Sequence, residues 1–426
     1  MPERKKIVVP RLRFPEFRNA GEWKMKSLND IAVIVTKRVG KSKVTPLSIT
    51  SGVGLVSQAS KFGKGIAGNQ YKNYYAIQNY DFAYNKSATN AYPEGFIAMY
   101  RSDLPGAVPN SIFTCFRVKK DLVYPPYLDY LFENNHHGKW LRKFVAVGAR
   151  AHGALNVDNK HLMSMPVPIP PHPTSLVEQQ KIADCLSSLD EVIELETQKL
   201  EVLKTHKKGL MQQLFPREGE TTPRLRFPEF RNAGEWEVVT LKTLAVRRNE
   251  RNSDGNLIQV LTNSAEEGVV NQRDYFDKDI AVQGNLKDYF IVDKGDFIYN
   301  PRVSALAPVG PISRNNIGKG IMSPLYTVFC FNRPNSDFYM YYFKSTAWHS
   351  YLRKVGNIGA RHDRIAISND DFMAMPVPDP LSAEQQKIAD CLSSLDEMIE
   401  FQAKKLEALK THKKGLMQQL FPQEVD

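Results

Sequence analysis

EQQKIADCLSSLDEVIELETQKLEVLKTHKKGLMQQLFP occupies residues 178–216, and EQQKIADCLSSLDEMIEFQAKKLEALKTHKKGLMQQLFP occupies residues 384–422. Only six of the 39 positions differ. A repeat this long decides the architecture, because each copy must occupy an equivalent place in the fold. Steps of four and three pick out Ile182, Leu186, Leu189, Ile193, Glu196, Leu200, Leu203, Lys207, Leu210 and Leu214. The second copy gives Ile388, Leu392, Leu395, Ile399, Gln402, Leu406, Leu409, Lys413, Leu416 and Leu420. That alternation is the seam of a coiled coil. Ser175-x-x-Glu178 and Ser382-x-x-Gln385 read as capping boxes, and Phe-Pro closes each helix.

A narrow apolar seam must be covered, either by the helix's own module or by the other helix. The two polar seam positions favour the two helices pairing antiparallel. Glu196 then faces Lys413, Lys207 faces Gln402, and Leu189 meets Leu420. A parallel pair would set Lys207 on Lys413, like charge on like charge. A helix of about 37 residues is roughly 55 Å long. Two modules on such a rod would be held at a fixed separation.

Outside the helices the duplication continues. PRLRFPEFRNAGEW stands unchanged at 10–23 and 223–236. Gly54–Gln58 aligns with Gly268–Gln272, Tyr74–Asn85 with Tyr289–Asn300, and Gly148-Ala149-Arg150 with Gly359-Ala360-Arg361. Each module ends in a proline-spaced arm, MPVPIP at 165–170 and MPVPDP at 375–380. Tyr74–Tyr84, Ser111–Val118, Phe290–Tyr299 and Leu325–Phe331 read as strands. Tyr127–Phe144 and Phe338–Val355 read as helices. The fold class is α+β: two pseudo-repeated α/β modules at 1–177 and 217–383, separated by two long helices at 178–216 and 384–426 that pair as an antiparallel coiled coil.

Composition sets outer limits. The chain of 426 residues is 42% hydrophobic and 24% charged, as expected of a soluble globular protein. It holds no apolar run long enough to span a bilayer and no signal-peptide core, so no membrane partner is expected. Cys115, Cys185, Cys330 and Cys391 are scattered, which suits reduced thiols in a cytoplasmic protein. The net charge of +11 suggests an acidic partner such as nucleic acid. The first module carries 25 Lys and Arg against 11 Asp and Glu, the second 21 against 20. The second module must therefore place its cations locally.

Catalytic look-alikes fail on inspection. Tyr124-Pro125-Pro126-Tyr127 has Tyr where an adenine methyltransferase needs Asp or Asn. Gly40-Lys41-Ser42 ends like a phosphate loop, but position 35 is Val. Pro378-Asp379…Lys387 has the wrong spacing for a nuclease. His and Cys show no zinc spacing. No catalytic residue, metal or cofactor is expected in this chain.

Two divergent modules and two near-identical helices, each introduced by a proline arm and Glu-Gln-Gln-Lys-Ile-Ala-Asp-Cys-Leu-Ser-Ser-Leu-Asp (178–190 and 384–396), resemble the specificity subunit of type I restriction–modification systems. The resemblance covers nearly the whole chain. It implies that each module is a target-recognition domain reading one half of a bipartite, asymmetric site in double-stranded DNA. The coil would set the unread gap and dock two modification subunits, which use S-adenosylmethionine. Restriction subunits, motor-nucleases using ATP and Mg2+, would complete the assembly.

Candidate DNA contacts are cations and amides in loops of the two modules. Lys86 and Arg302 follow matched Tyr-Asn strand ends. Arg150, His152, Arg361, His362 and Arg364 lie in or just after the Gly-Ala-Arg tracts. Gln58 and Gln272 follow matched Gly turns. Arg pairs bidentately with guanine and Gln with adenine, although most protein–DNA hydrogen bonds go to the backbone. Two other readings stand beside this one. A self-contained modification or restriction enzyme needs motifs the sequence does not carry. A coiled-coil adaptor unrelated to DNA is separated by salt-dependent duplex binding.

Overall fold

The computed structural model describes residues 8–50, 52–64, 68–145, 155–276, 283–333, 336–358 and 363–422. The chain divides into two units, residues 1–197 with 404–426, and residues 198–403. Each unit contains one module and a segment of each long helix. The helices run Ser175–Leu214 (α1) and Ser382–Leu420 (α2).

In the first unit a four-stranded antiparallel sheet has the order Ala32–Ile34, Phe113–Val118, Asp81–Asn85, Phe96–Met99. Phe82, Tyr84 and Phe116 are fully buried and pack against Phe132 of the helix Pro125–Glu133. The second unit repeats this with Ala245–Arg248, Thr327–Phe331, Phe297–Tyr299 and Ile312–Arg314. A second set of strands follows the same plan in both. Thr45–Thr50 hairpins with Gly54–Ser57 and runs parallel to Gly106–Val108. Leu261–Ser264 hairpins with Gly268–Asn271, and Val260 bridges Ile321 in parallel.

The proline arms are strands. Pro166–Ile169 pairs antiparallel with Lys24–Ser27, and Pro376–Asp379 with Glu237–Thr240. Among the described residues each sheet has only these two strands, so the prolines sit where missing N–H groups cost little. Their alternation turns Val167 and Val377 into the core.

Three local expectations are corrected. The helix expected at 127–144 is two helices, Pro125–Glu133 and His136–Leu141, broken at Asn135 with φ +58°. Asn tolerates the left-handed region better than most residues. The segment expected at 338–355 likewise splits into Asp337–Tyr342 and His349–Val355. The capping boxes are not used as expected. Glu178 accepts Nε and Nη2 of Arg13 at 2.7 and 2.8 Å, together with Nε1 of Trp23. Gln385 donates to Asp379 and the Pro380 carbonyl. Arg226 grips Glu384 as Arg13 grips Glu178.

These pairs explain why PRLRFPEFRNAGEW is repeated unchanged. Arg13 and Arg226 belong to it, and each also donates Nη1 to the carbonyl of Gly21 or Gly234 in the same segment. The segment thus folds on itself and locks onto the first turn of a long helix. Its other side meets the end of the other helix: Leu12 N donates to Gln419 O, and Leu225 N to Gln213 O. Leu420 and Phe421 join the first unit's core with Ile182 and Leu186. Leu214 and Phe215 join the second unit's core with Ile388 and Leu392.

Candidate nucleic-acid interface

Each main sheet sends a loop outward from a matched Tyr-Asn end. Asn85 Oδ1 accepts Ser87 N, and Asn300 Oδ1 accepts Arg302 N, each at 3.0 Å. From beneath, Tyr84 Oη donates to Glu94 O at 2.8 Å, and Tyr299 Oη to Val309 O at 3.0 Å. The loops close on Gly95 and Gly310, both with positive φ. A Cβ there would lie 2.5 Å from Asn85 O or 2.0 Å from Asn300 O, so only glycine fits. Tyr, Asn and Gly thus build one frame, while the loop tips between them differ.

The stretch after each Gly-Ala-Arg tract comes back to this loop. Leu155 N donates to Lys86 O at 2.6 Å, and Ile365 N to Pro301 O at 2.9 Å. Arg302 and Arg364 form a β-bridge, so these two exposed candidates stand together. The hydrogen bonds shift one expected match. Lys86 corresponds to Pro301, and Arg302 to Ser87. Lys86 is half-buried with Nζ 3.4 Å from Asn159 Oδ1. Burial lowers its pKa, and the nearby Asp158 opposes that shift.

Gln58 is only 6% exposed, and its amide donates to Leu47 O at 3.2 Å. It therefore serves the hairpin interior rather than an open face. Gln272, at the matched place, is half-buried. Arg150, His152, Arg361 and His362 lie outside the described residues.

Sequence reading missed a matched arginine. Arg38 bridges Tyr75, and Arg251 bridges Phe290. Each guanidinium lies over its bridge partner's ring, at 5.6 and 5.5 Å. Each Nη1 donates to a backbone carbonyl, Asn73 O at 2.7 Å or Asp288 O at 3.2 Å. The signal was weak: Lys37-Arg38-Val39 and Glu250-Arg251-Asn252 share one residue.

Along the long helices, every expected seam residue is covered. Leu189, Ile193, Glu196, Leu200, Leu203, Lys207, Leu395, Ile399, Gln402, Leu406, Leu409 and Lys413 are all buried or half-buried. Their polar partners differ from those expected. Lys413 Nζ lies 2.7 Å from both Asp190 and Glu133, and Glu196 pairs with Lys405. Glu196 and Lys413, expected to face each other, thus each pair with another residue. Lys207 makes the equivalent pair with Asp396. Tyr130 and Tyr341 hold those aspartates through their hydroxyls, each at 2.8 Å, and lie under the lysines. The Glu133 carboxyl is pushed up by burial, against the pull of Lys413.

Among the described residues no group of three or more His, Cys, Asp or Glu could hold a metal. Likewise, no described helix is long and apolar enough to cross a membrane. Tyr127 of the Tyr-Pro-Pro-Tyr stretch is buried and donates to Pro168 O at 2.6 Å.

The family model described as type I restriction modification DNA specificity domain matches residues 20–205 and 233–411. The chain is 27% identical over 339 residues to the MjaX specificity subunit of Methanocaldococcus jannaschii, covering 76% of this chain and 73% of that protein. It is 26% identical over 300 residues to the same organism's type I restriction enzyme MjaVIII specificity subunit, covering 66% of each. The fold is similar to a chain from a structure of type I restriction–modification complex assembly, with TM-score 0.56 and 15% identity over 95% of this chain and 98% of that one. It is also similar to the type I S subunit from M. genitalium, with TM-score 0.52 and 12% identity over 98% of this chain and 100% of that one.

Proposed function

The chain belongs to the type I restriction–modification DNA specificity family, and from that premise we propose that each module reads one half of a bipartite, asymmetric site in duplex DNA. As a specificity subunit it is not itself an enzyme; methylation and cleavage belong to partner subunits. The observation that carries the proposal is the twice-built loop. One frame of Tyr, Asn and Gly presents different tips, Lys86 and Ser87 in one module, Arg302 beside Arg364 in the other. A shared scaffold with unlike readers suits two unlike half-sites.

The long helices would pair as an antiparallel coiled coil and set the unread gap. A helix of 40 residues spans about 60 Å. Its outward residues support docking of two copies of one modification subunit. Leu195 is 64% exposed, and its repeat equivalent Phe401 is 71% exposed. Val192 and Met398, one turn earlier, are also exposed. Large apolar side chains in water at equivalent positions suit a protein partner. S-adenosylmethionine, ATP and Mg2+ would be bound by the partners.

The test is duplex binding by the chain assembled with its modification subunits. Affinity should fall linearly in log–log against salt, with a slope approaching −1 for each phosphate neutralised. Replacing Arg302 and Arg364 together by Ala should weaken binding to the preferred duplex. Salt-independent affinity, or equal affinity for every duplex, would contradict the proposal.

A further inference from the structure

We propose that Arg38 and Arg251 are base-reading residues at one shared station, and that the turn beside each sets which sequence its module accepts. This rests on the DNA-specificity reading above. In the first module Arg38 lines an open cleft of about 700 Å³ with Gln70, Asn73, Asn110 and Ser111. An arginine, three amides and a hydroxyl are the groups that hydrogen-bond base edges in a major groove.

The arginine is held before any ligand arrives. Its ring platform is Tyr75, and Nη1 is fixed on Asn73 O. With its amide turned to match its neighbours, Asn110 accepts Nη1 and donates to Asn73 O, each at 3.2 Å. Nε and Nη2 make no hydrogen bond among the described residues, which leaves two donors for a base edge. Around Arg38, Lys37, Lys41, Lys43 and Lys72 are exposed. The loop carrying the first three is pinned by Val39 N to Tyr74 O and Gly40 N to Lys72 O. Cations at the rim suit phosphates, and the fork within the cleft suits a base.

The second module keeps the arginine and changes its company. Arg251 lies over Phe290, and Asp288 stands where Asn73 stands. The matched pairs Ala32–Val118 and Ala245–Phe331 set the register of the strand that the turn enters. Counting back from them, Pro109-Asn110-Ser111-Ile112 becomes the shorter Ser323-Pro324-Leu325. Leu325 is 56% exposed, an apolar tip in place of amide and hydroxyl. Such a tip fits a thymine methyl rather than a hydrogen-bonding edge. Its rim is mixed, with Glu250, Asp254 and Lys287 in place of the lysines.

The experiment is methylation of a duplex library by the chain assembled with its modification subunits. Arg38→Lys keeps the charge and loses the planar fork. It should relax one base pair of one half-site, lowering discrimination there on the order of 10- to 100-fold. Arg251→Lys should relax one base pair of the other half-site, and neither should alter the gap. Unchanged melting temperatures would exclude misfolding, and Asn110→Ala gives a second, milder probe of the same half-site. If the lysine variants keep full discrimination, or lose affinity equally for all sequences, the arginines are not base readers. If the wild-type complex itself shows no sequence preference, the specificity reading fails and this inference with it.

Discussion

Arg13 and Glu178 are 6% and 1% exposed in their side chains, and Arg226 and Glu384 are 7% and 0% exposed. Taking both charges out of water is costly, so the bidentate geometry recovers little net stability. Removing one partner is different, because the other is left buried and unpaired. Arg13→Ala should destabilise the first unit by about 3–5 kcal/mol. Urea denaturation would measure it, and Arg13→Met with Glu178→Leu should recover most of the loss. A single substitution costing under about 1 kcal/mol would show the carboxylate has another way to be solvated. At this scale the sequence was legible only in part. An unchanged 14-residue repeat advertised a constraint, but not that its arginine met a glutamate 165 residues away. Arg38 and Arg251 are matched by backbone bridges to Tyr75 and Phe290, which no local pattern encodes. Gln58 looked like an available amide because burial of a side chain depends on the hairpin above it.

The long helices were the most legible elements, because a 3.5-residue period needs no tertiary information. The charge at the polar seam positions predicts that they pair antiparallel, and the ion pairs formed are not those of the predicted register. A shift of one heptad still sets seam position on seam position, but it places Leu189, Leu406, Leu200 and Leu395 opposite the polar Lys413, Glu196, Gln402 and Lys207. The choice is made by groups outside the seam: Asp190 and Glu133 for Lys413, with Tyr130 beneath, and Asp396 with Tyr341 for Lys207. Cysteines at 196 and 405, in a chain whose native cysteines are replaced, should crosslink readily under mild oxidation. Cysteines at 196 and 413 should not. Efficient crosslinking of the second pair alone would restore the register read from the seam. The broken helices at Asn135 and at 343–348 were missed because aromatic spacing continued across each break. The shared frame of Tyr84, Asn85 and Gly95 with Tyr299, Asn300 and Gly310 was half visible. Tyr-Asn aligned in the sequence, while the glycines sit ten residues on, across loops of unlike sequence.

For the whole molecule, duplication with divergence is the central fact. The parts that repeat unchanged are those that clamp module to helix and those that would meet identical partners. The parts that diverge are the loop tips and the turns beside Arg38 and Arg251. A chain built this way should specify two different half-sites separated by a fixed gap. The most direct test is to map methylated bases across the genome of cells carrying this chain and its modification subunits, and of cells lacking only this chain. The account predicts one bipartite, non-palindromic motif that disappears with the chain, and whose first half alone changes when residues 24–170 are exchanged for those of a relative. Methylation that persists without the chain, or a motif that is continuous or palindromic, would contradict it.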